Sequence, residues 1–281
     1  MRWPFFSGRK LASLLLTLSI PWTLRAESPW AVYYSNQLPL ETFKPYGLLV
    51  LDSQYHPPLE PLKAQGKKLL GYISLGEVEK HRHFYPEVKA EGILLMENQY
   101  WKGSYFVDVR DARWTRRVIE ELIPALLQRG FDGIFIDTMD NPSHLERIRP
   151  KAYQGMTAAA VNLLRTIRVH FPKIPIMLNR GYDLYDQGGA YVDMLLGESL
   201  YADYNFEQKT YQLVEPELYQ QQLAIFQKVK SKYPKLELFS LDYWDPEDVA
   251  GIQKIYAEER KNGFRPFVST IKLDIVVPEP Q

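Results

Sequence analysis

The 281-residue chain has no cysteine, which removes disulfides, thiolate nucleophiles and cysteine-ligated zinc or iron–sulfur sites. It has no excess charge of either sign. Thirty-four Lys and Arg balance 34 Asp and Glu, so a broad electrostatic footprint for nucleic acid or anionic lipid is not expected. Histidine is sparse, with five in all. No Pro/Gly/Ser-rich linker or low-complexity tract divides the chain, and no glycine fingerprint for a dinucleotide phosphate follows the first apolar run. What is present is apolar and aromatic: 46% hydrophobic residues, with 19 Tyr, 13 Phe and 6 Trp, enough for one sizeable core.

The first 26 residues read as an export signal. Arg2, Arg9 and Lys10 form a basic start, "LASLLLTLSI" an apolar centre, and "TLRA" offers a cut after Ala26. The apolar run is short for a membrane span. Arg25 and Leu24 sit awkwardly beside the cut and keep an uncleaved anchor as the alternative. The expectation is an exported protein, periplasmic or extracellular, without stable membrane insertion after cleavage.

From residue 27 to 281 short apolar runs alternate with helical patterns. "WAVYYS", "GLLVLD", "LLGYIS", "YFVDV", "FDGIFID", "IPIMLN", "VDMLLGE", "LELFSLD" and "RPFVST" are apolar throughout rather than alternating, as strands buried on both faces of a parallel sheet are. Between them, residues 112–129 place Trp114, Val118, Leu122 and Leu126 on one face, with Asp111 as N-cap, Gly130 beyond the end and Pro124 predicting a bend or break. A second helix, opening at Asp245 and Pro246, is predicted to close at Gly263. "AQGKKLLGYI", "QRGFDGIF" and "KNGFRPFV" repeat one phrase: a polar helix tail, a glycine, an entering strand. The pattern predicts a single-domain α/β (β/α)8 barrel.

Polar residues stand where the apolar runs stop: Asp52, Glu77, Asp108, Asp137, Asn179, Glu198 and Asp242. In a barrel those ends converge on the face where active sites are built. Each acid has an ordinary reading as a cap or turn residue. Asp137 and Glu198 stand apart because both end strongly apolar runs with no convincing helix directly behind them. Two carboxyls facing across a cleft are the minimal equipment for splitting a glycosidic bond. Tyr72, Tyr182, Tyr201, Tyr243 and Trp244 fall at or just past strand ends, where they can stack on sugars or simply wall the cleft.

"GYISLGEVE", "GFDGIFIDTMD", "LNRGYD" and "LGESLY" resemble, in order and spacing, motifs of the endo-α-1,4-polygalactosaminidase glycoside hydrolases and of the hydrolase domain of Pel exopolysaccharide proteins. The resemblance implies an extracytoplasmic barrel cutting α-1,4-linked galactosamine or N-acetylgalactosamine chains. It implies Asp137 as nucleophile and Glu198 as acid/base, with Asp52, Tyr72, Glu77, Asn179, Tyr182, Tyr201, Asp242 and Tyr243 as subsite candidates. It implies no cofactor and no metal, and the expected state is a monomer acting on a cationic amino-sugar polymer. Two alternatives stay open. One is a metal-dependent hydrolase, using His81 and His83 of "HRH" or the rim acids. The other is a polysaccharide-binding barrel of a biofilm matrix that does not cleave.

Overall fold

The computed structural model describes residues 28–281, so the expected leader lies outside the described residues. The strands in chain order are β1 (Trp30–Tyr33), β2 (Leu48–Leu51), β3 (Lys68–Ser74), β4 (Glu77–Glu79), β5 (Leu94–Glu97), β6 (Ser104–Val107) and β7 (Gly133–Asp137). They continue with β8 (Ile176–Asn179), β9 (Met194–Glu198), β10 (Ala202–Asn205), β11 (Thr210–Leu213), β12 (Glu237–Tyr243) and β13 (Arg265–Ser269). Eight of these form one parallel sheet in the order β1-β2-β3-β7-β8-β9-β12-β13, with helices between. This is the (β/α)8 barrel that the alternating pattern predicts.

Every residue of β1, β2 and β8 is buried, which is why these runs carry no polar alternation. The seam between β13 and β1 is closed by side chains. The Trp30 indole donates to the Arg265 carbonyl at 2.9 Å and packs edge-on against Phe239 at 5.0 Å. Burying such large side chains contributes roughly 1.5–3 kcal/mol each, which is how a cysteine-free chain holds its shape.

The recurring glycine phrase has a single physical cause. Gly66, Gly130 and Gly263 have φ of 75°, 113° and 87°, the left-handed conformation that ends a helix without a Cβ clash. Asp111 caps as expected, its carboxylate accepting from the Arg113 N–H at 2.8 Å. Pro124 breaks nothing. The helix Ala112–Arg117 runs through a wide π-type turn, Val118–Leu122, into Ile123–Arg129, and that turn absorbs the missing N–H. The later helix begins at Val249 with Asp248 as its cap, while Asp245 only closes the preceding turn onto the Glu247 N–H.

One predicted barrel strand lies elsewhere. "YFVDV" forms β6, the centre of an antiparallel three-stranded sheet with β4 and β5 inserted after β3. Asp108 therefore follows a strand of this inserted sheet and not a barrel strand. A second insertion after β9 is the hairpin β10–β11. Both insertions leave the carboxyl ends of their strands, the face on which barrel sites are built. Among the described residues no helix is long and apolar enough to cross a membrane.

Candidate active site

Five consecutive barrel strands end in a repeating order of donor and acid. Tyr72 stands on β3, Asp137 on β7, Asn179 on β8, Glu198 on β9 and Tyr243 on β12. Tyr72 donates its phenol to Asp137 Oδ2 at 2.9 Å, and the Tyr243 phenol donates to Glu198 Oε1 in a short contact. Between them the Asn179 amide gives one N–H to each acid, at 2.9 Å to Asp137 Oδ1 and 2.6 Å to Glu198 Oε2. Those two oxygens can be separated by no more than the sum of the two bonds, 5.5 Å.

The backbone beneath this row is unusual. Thr138, Arg180 and Ser199 each follow one of its polar residues, and their φ values are 65°, 49° and 52°. Left-handed backbone is uncommon outside glycine and an outlier for a β-branched threonine. Thr138 is held there by its hydroxyl, which accepts from the Gly76 N–H at 2.8 Å and lies 2.9 Å from Ser74 Oγ. Gly76 must be glycine at this point, because a Cβ would come within 2.0 Å of the Thr138 carbonyl. Three strands thus turn sharply at the residue after the site, which fixes where each strand-end side chain lies.

Electrostatics separates the pair from ordinary surface acids. Burial, then the facing Glu198 charge, pushes Asp137 up to about 7, although the bonds from Asn179 and Tyr72 pull the other way. Burial and the charge of Asp137 hold the Tyr72 phenol well above its ordinary value. Burial and Glu198 do the same for Tyr243, so both stay protonated and remain donors. The site can therefore hold one proton between two closely spaced carboxyls, the condition for acid and nucleophile to act together.

Residues 17–281 match the profile of glycoside-hydrolase family GH114. The chain belongs to that family. Its fold is similar to that of the glycoside hydrolase domain of PelA from Pseudomonas aeruginosa, with TM-score 0.78 and 22% identity over 90% of this chain and 98% of that one. It is also similar to Aspergillus fumigatus Ega3, solved with galactosamine, at TM-score 0.64 and 15% identity over 90% and 94% of the two chains. A Deinococcus radiodurans protein of unassigned function is 29% identical over 143 residues, 49% of this chain and 46% of that protein. A Methanocaldococcus jannaschii protein, MJ1477, is 32% identical over 85 residues, 29% of this chain and 24% of that protein. The chain thus matches less than half the length of these two relatives.

In this GH114 barrel the other expected subsite residues separate. Asp52 closes a turn at the mouth, accepting from the Gln54 and Tyr55 N–H groups at 2.7 Å each. Tyr182 is half-buried and gives its hydroxyl to Gln222 at 2.7 Å, and the Tyr201 ring packs against Tyr219 at 5.0 Å. Glu77 is a correction. It is 5% exposed and accepts from Asn98, Ser104 and Asn141, so its carboxylate ties the inserted sheet to the helix after Asp137. Asp242 is another. It is fully buried with Oδ1 on the Tyr201 and Ala202 N–H groups, and it interacts with Glu259 of the helix Val249–Lys261. Asp242 therefore steadies the loop that follows Glu198. It does not line the cleft.

Sequence reasoning missed Arg82 and Tyr34. Arg82 is paired to Glu79 at 2.6 Å and lies 5.8 Å from the centre of the Tyr72 ring, bracing the ring that donates to Asp137. Tyr34 packs edge-on against the same ring at 5.4 Å. No signal in "EVEKHRH" distinguishes Arg82 from its charged neighbours, whereas Tyr34 ends the "WAVYY" run and sits where a rim residue is expected. His81 and His83 do not converge: one approaches Glu79 at 3.7 Å and the other stacks on Phe84. Among the described residues no group of three His, Asp or Glu side chains is placed to hold a metal ion. A concavity of about 810 Å³ lies at the other end of the barrel, near Lys68, Pro175, Asp193 and Leu236, where barrel residues serve stability.

Proposed function

We propose that this GH114 protein cleaves α-1,4-linked galactosamine or N-acetylgalactosamine polymers by double displacement. Asp137 attacks the anomeric carbon while Glu198 gives its proton to the departing glycosidic oxygen. Glu198 then takes a proton from water as that water displaces Asp137 from the sugar. The observation that carries this reading is the Asn179 amide bonded to both carboxylates at once, because it fixes them at the spacing of a nucleophile and its acid. The galactosamine assignment draws support from the family and from the PelA hydrolase domain and galactosamine-bound Ega3 as fold neighbours. Such a polymer lies outside the cytoplasm, which agrees with export directed by the leader.

The test is reducing-end release from partly deacetylated poly-α-1,4-galactosamine, with and without EDTA. Release that survives EDTA and disappears in Asp137→Asn and Glu198→Gln supports the proposal. Polymer binding without release would return the protein to the binding-barrel alternative, and loss of activity in EDTA would favour a metal-dependent reaction.

A further inference from the structure

Two large rings stand in solvent above the mouth without burial by the chain. Trp101, on the turn between β5 and β6, is 60% exposed, and Phe206, on the turn between β10 and β11, is 60% exposed. Their insertions leave β3 and β9, three places apart around the barrel, yet the two ring centroids are 6.0 Å apart and nearly perpendicular at 84°. The two turn tips therefore meet over the same end that carries Asp137 and Glu198.

Both turns are rigid. Asn98 accepts from the Tyr100 N–H and donates to Glu77, which also holds Asn141 after β7. The Trp101 carbonyl accepts from the Ser104 N–H at 3.0 Å. On the other side Asn205 accepts from the Glu207 and Gln208 N–H groups, and Phe206 leans on Tyr204 at 5.2 Å. Exposed aromatics fixed in place lose little conformational freedom when something stacks on them. A pair of rings is far smaller than the roughly 800 Å² per partner that a stable protein interface buries. It matches the apolar face of a sugar ring, and aromatic faces also attract the ammonium group of an amino sugar.

We propose that Trp101 and Phe206 form a remote sugar-stacking subsite that grips the amino-sugar polymer away from the bond being cut. This rests on the hydrolase reading above and extends it: the enzyme should favour long chains, because only they reach both the acid pair and the clasp.

The experiment compares wild type, Trp101→Ala, Phe206→Ala, the double variant and Trp101→Tyr. Substrates are a long partly deacetylated α-1,4-galactosamine polymer and a short oligomer of the same sugar, with polymer affinity measured separately by gel retardation. For the polymer, kcat/KM and affinity should fall on the order of fivefold per ring and more than tenfold in the double variant. The short oligomer should be cut as before, Tm should hold, and Trp101→Tyr should recover most of the loss. Equal losses on both substrates, or no loss on the polymer, would overturn the subsite. If wild type cuts neither substrate the hydrolase reading fails, and the retardation assay still decides: weaker binding by the double variant upholds the clasp, unchanged binding removes it.

Discussion

Asp137 is held up near 7 by burial and by Glu198, so its ionisation falls inside the working pH range. If it is the nucleophile it must be charged, and kcat/KM should climb with pH through that value. Tyr72→Phe removes a bond that favours the carboxylate, so the rising limb should move to higher pH by up to about one unit. A falling limb that moves instead would make Asp137 the acid. Glu198→Gln should cost roughly 10²–10⁴ in turnover, as loss of a proton donor does. Stability should respond the other way. An acid raised in the folded state contributes most below its unfolded value near 4, and that contribution is lost as pH rises towards about 7. Asp137→Asn is therefore expected to abolish reducing-end release yet raise Tm by a few degrees at pH 8, measured by calorimetry. The strand-end positions of these residues were legible in the sequence, but their directions were not. Asp242 and Tyr243 are adjacent at one strand end, only one can face inward, and a run apolar on both faces gives no phase to say which.

At the scale of elements, the two misplaced acids turn out to hold insertions and loops. Glu77 gathers Asn98, Ser104 and Asn141 onto one carboxylate, and Glu77→Leu would leave those donors facing an apolar group. The expected cost is about 2–3 kcal/mol, seen as a lower denaturation midpoint, with Glu77→Gln milder because it keeps one acceptor oxygen. The pattern could not reveal this. "YFVDV" has the composition of a barrel strand, and only its antiparallel pairing with short β4 and β5 sets it outside. Asp242 and Glu259 behave similarly between barrel and helix. Burial raises Asp242 to about 7, and burial followed by the Asp242 charge raises Glu259 to about 9. By the same sign, the stability they contribute is full below their unfolded values and declines as pH rises towards those two. Glu259→Gln should flatten the fall of Tm between pH 6 and 9 in thermal melts, and an unchanged slope would show that the pair does not titrate in that window.

For the whole molecule, the barrel order determines the chemistry that the site can perform. Alternate strands contribute side chains to a common interior layer, so Asp137 on the fourth strand and Glu198 on the sixth come to one level. Asn179 on the fifth strand then reaches both. Inverting glycosidases keep their carboxyls about 6.5–9.5 Å apart to admit a water between acid and sugar, whereas retaining enzymes keep them about 5–5.5 Å apart. The nearest oxygens here are within 5.5 Å, which leaves room for a sugar carbon to bond to Asp137 but not for an intervening water. The first product should therefore be the α-anomer, visible by proton NMR before mutarotation. In Glu198→Gln, a substrate with a good leaving group should leave a sugar covalently bound to Asp137, detectable as a mass increase on the peptide containing it. Initial appearance of the β-anomer would mean that water and not Asp137 reaches the anomeric carbon, and the short spacing would then belong to the free protein alone.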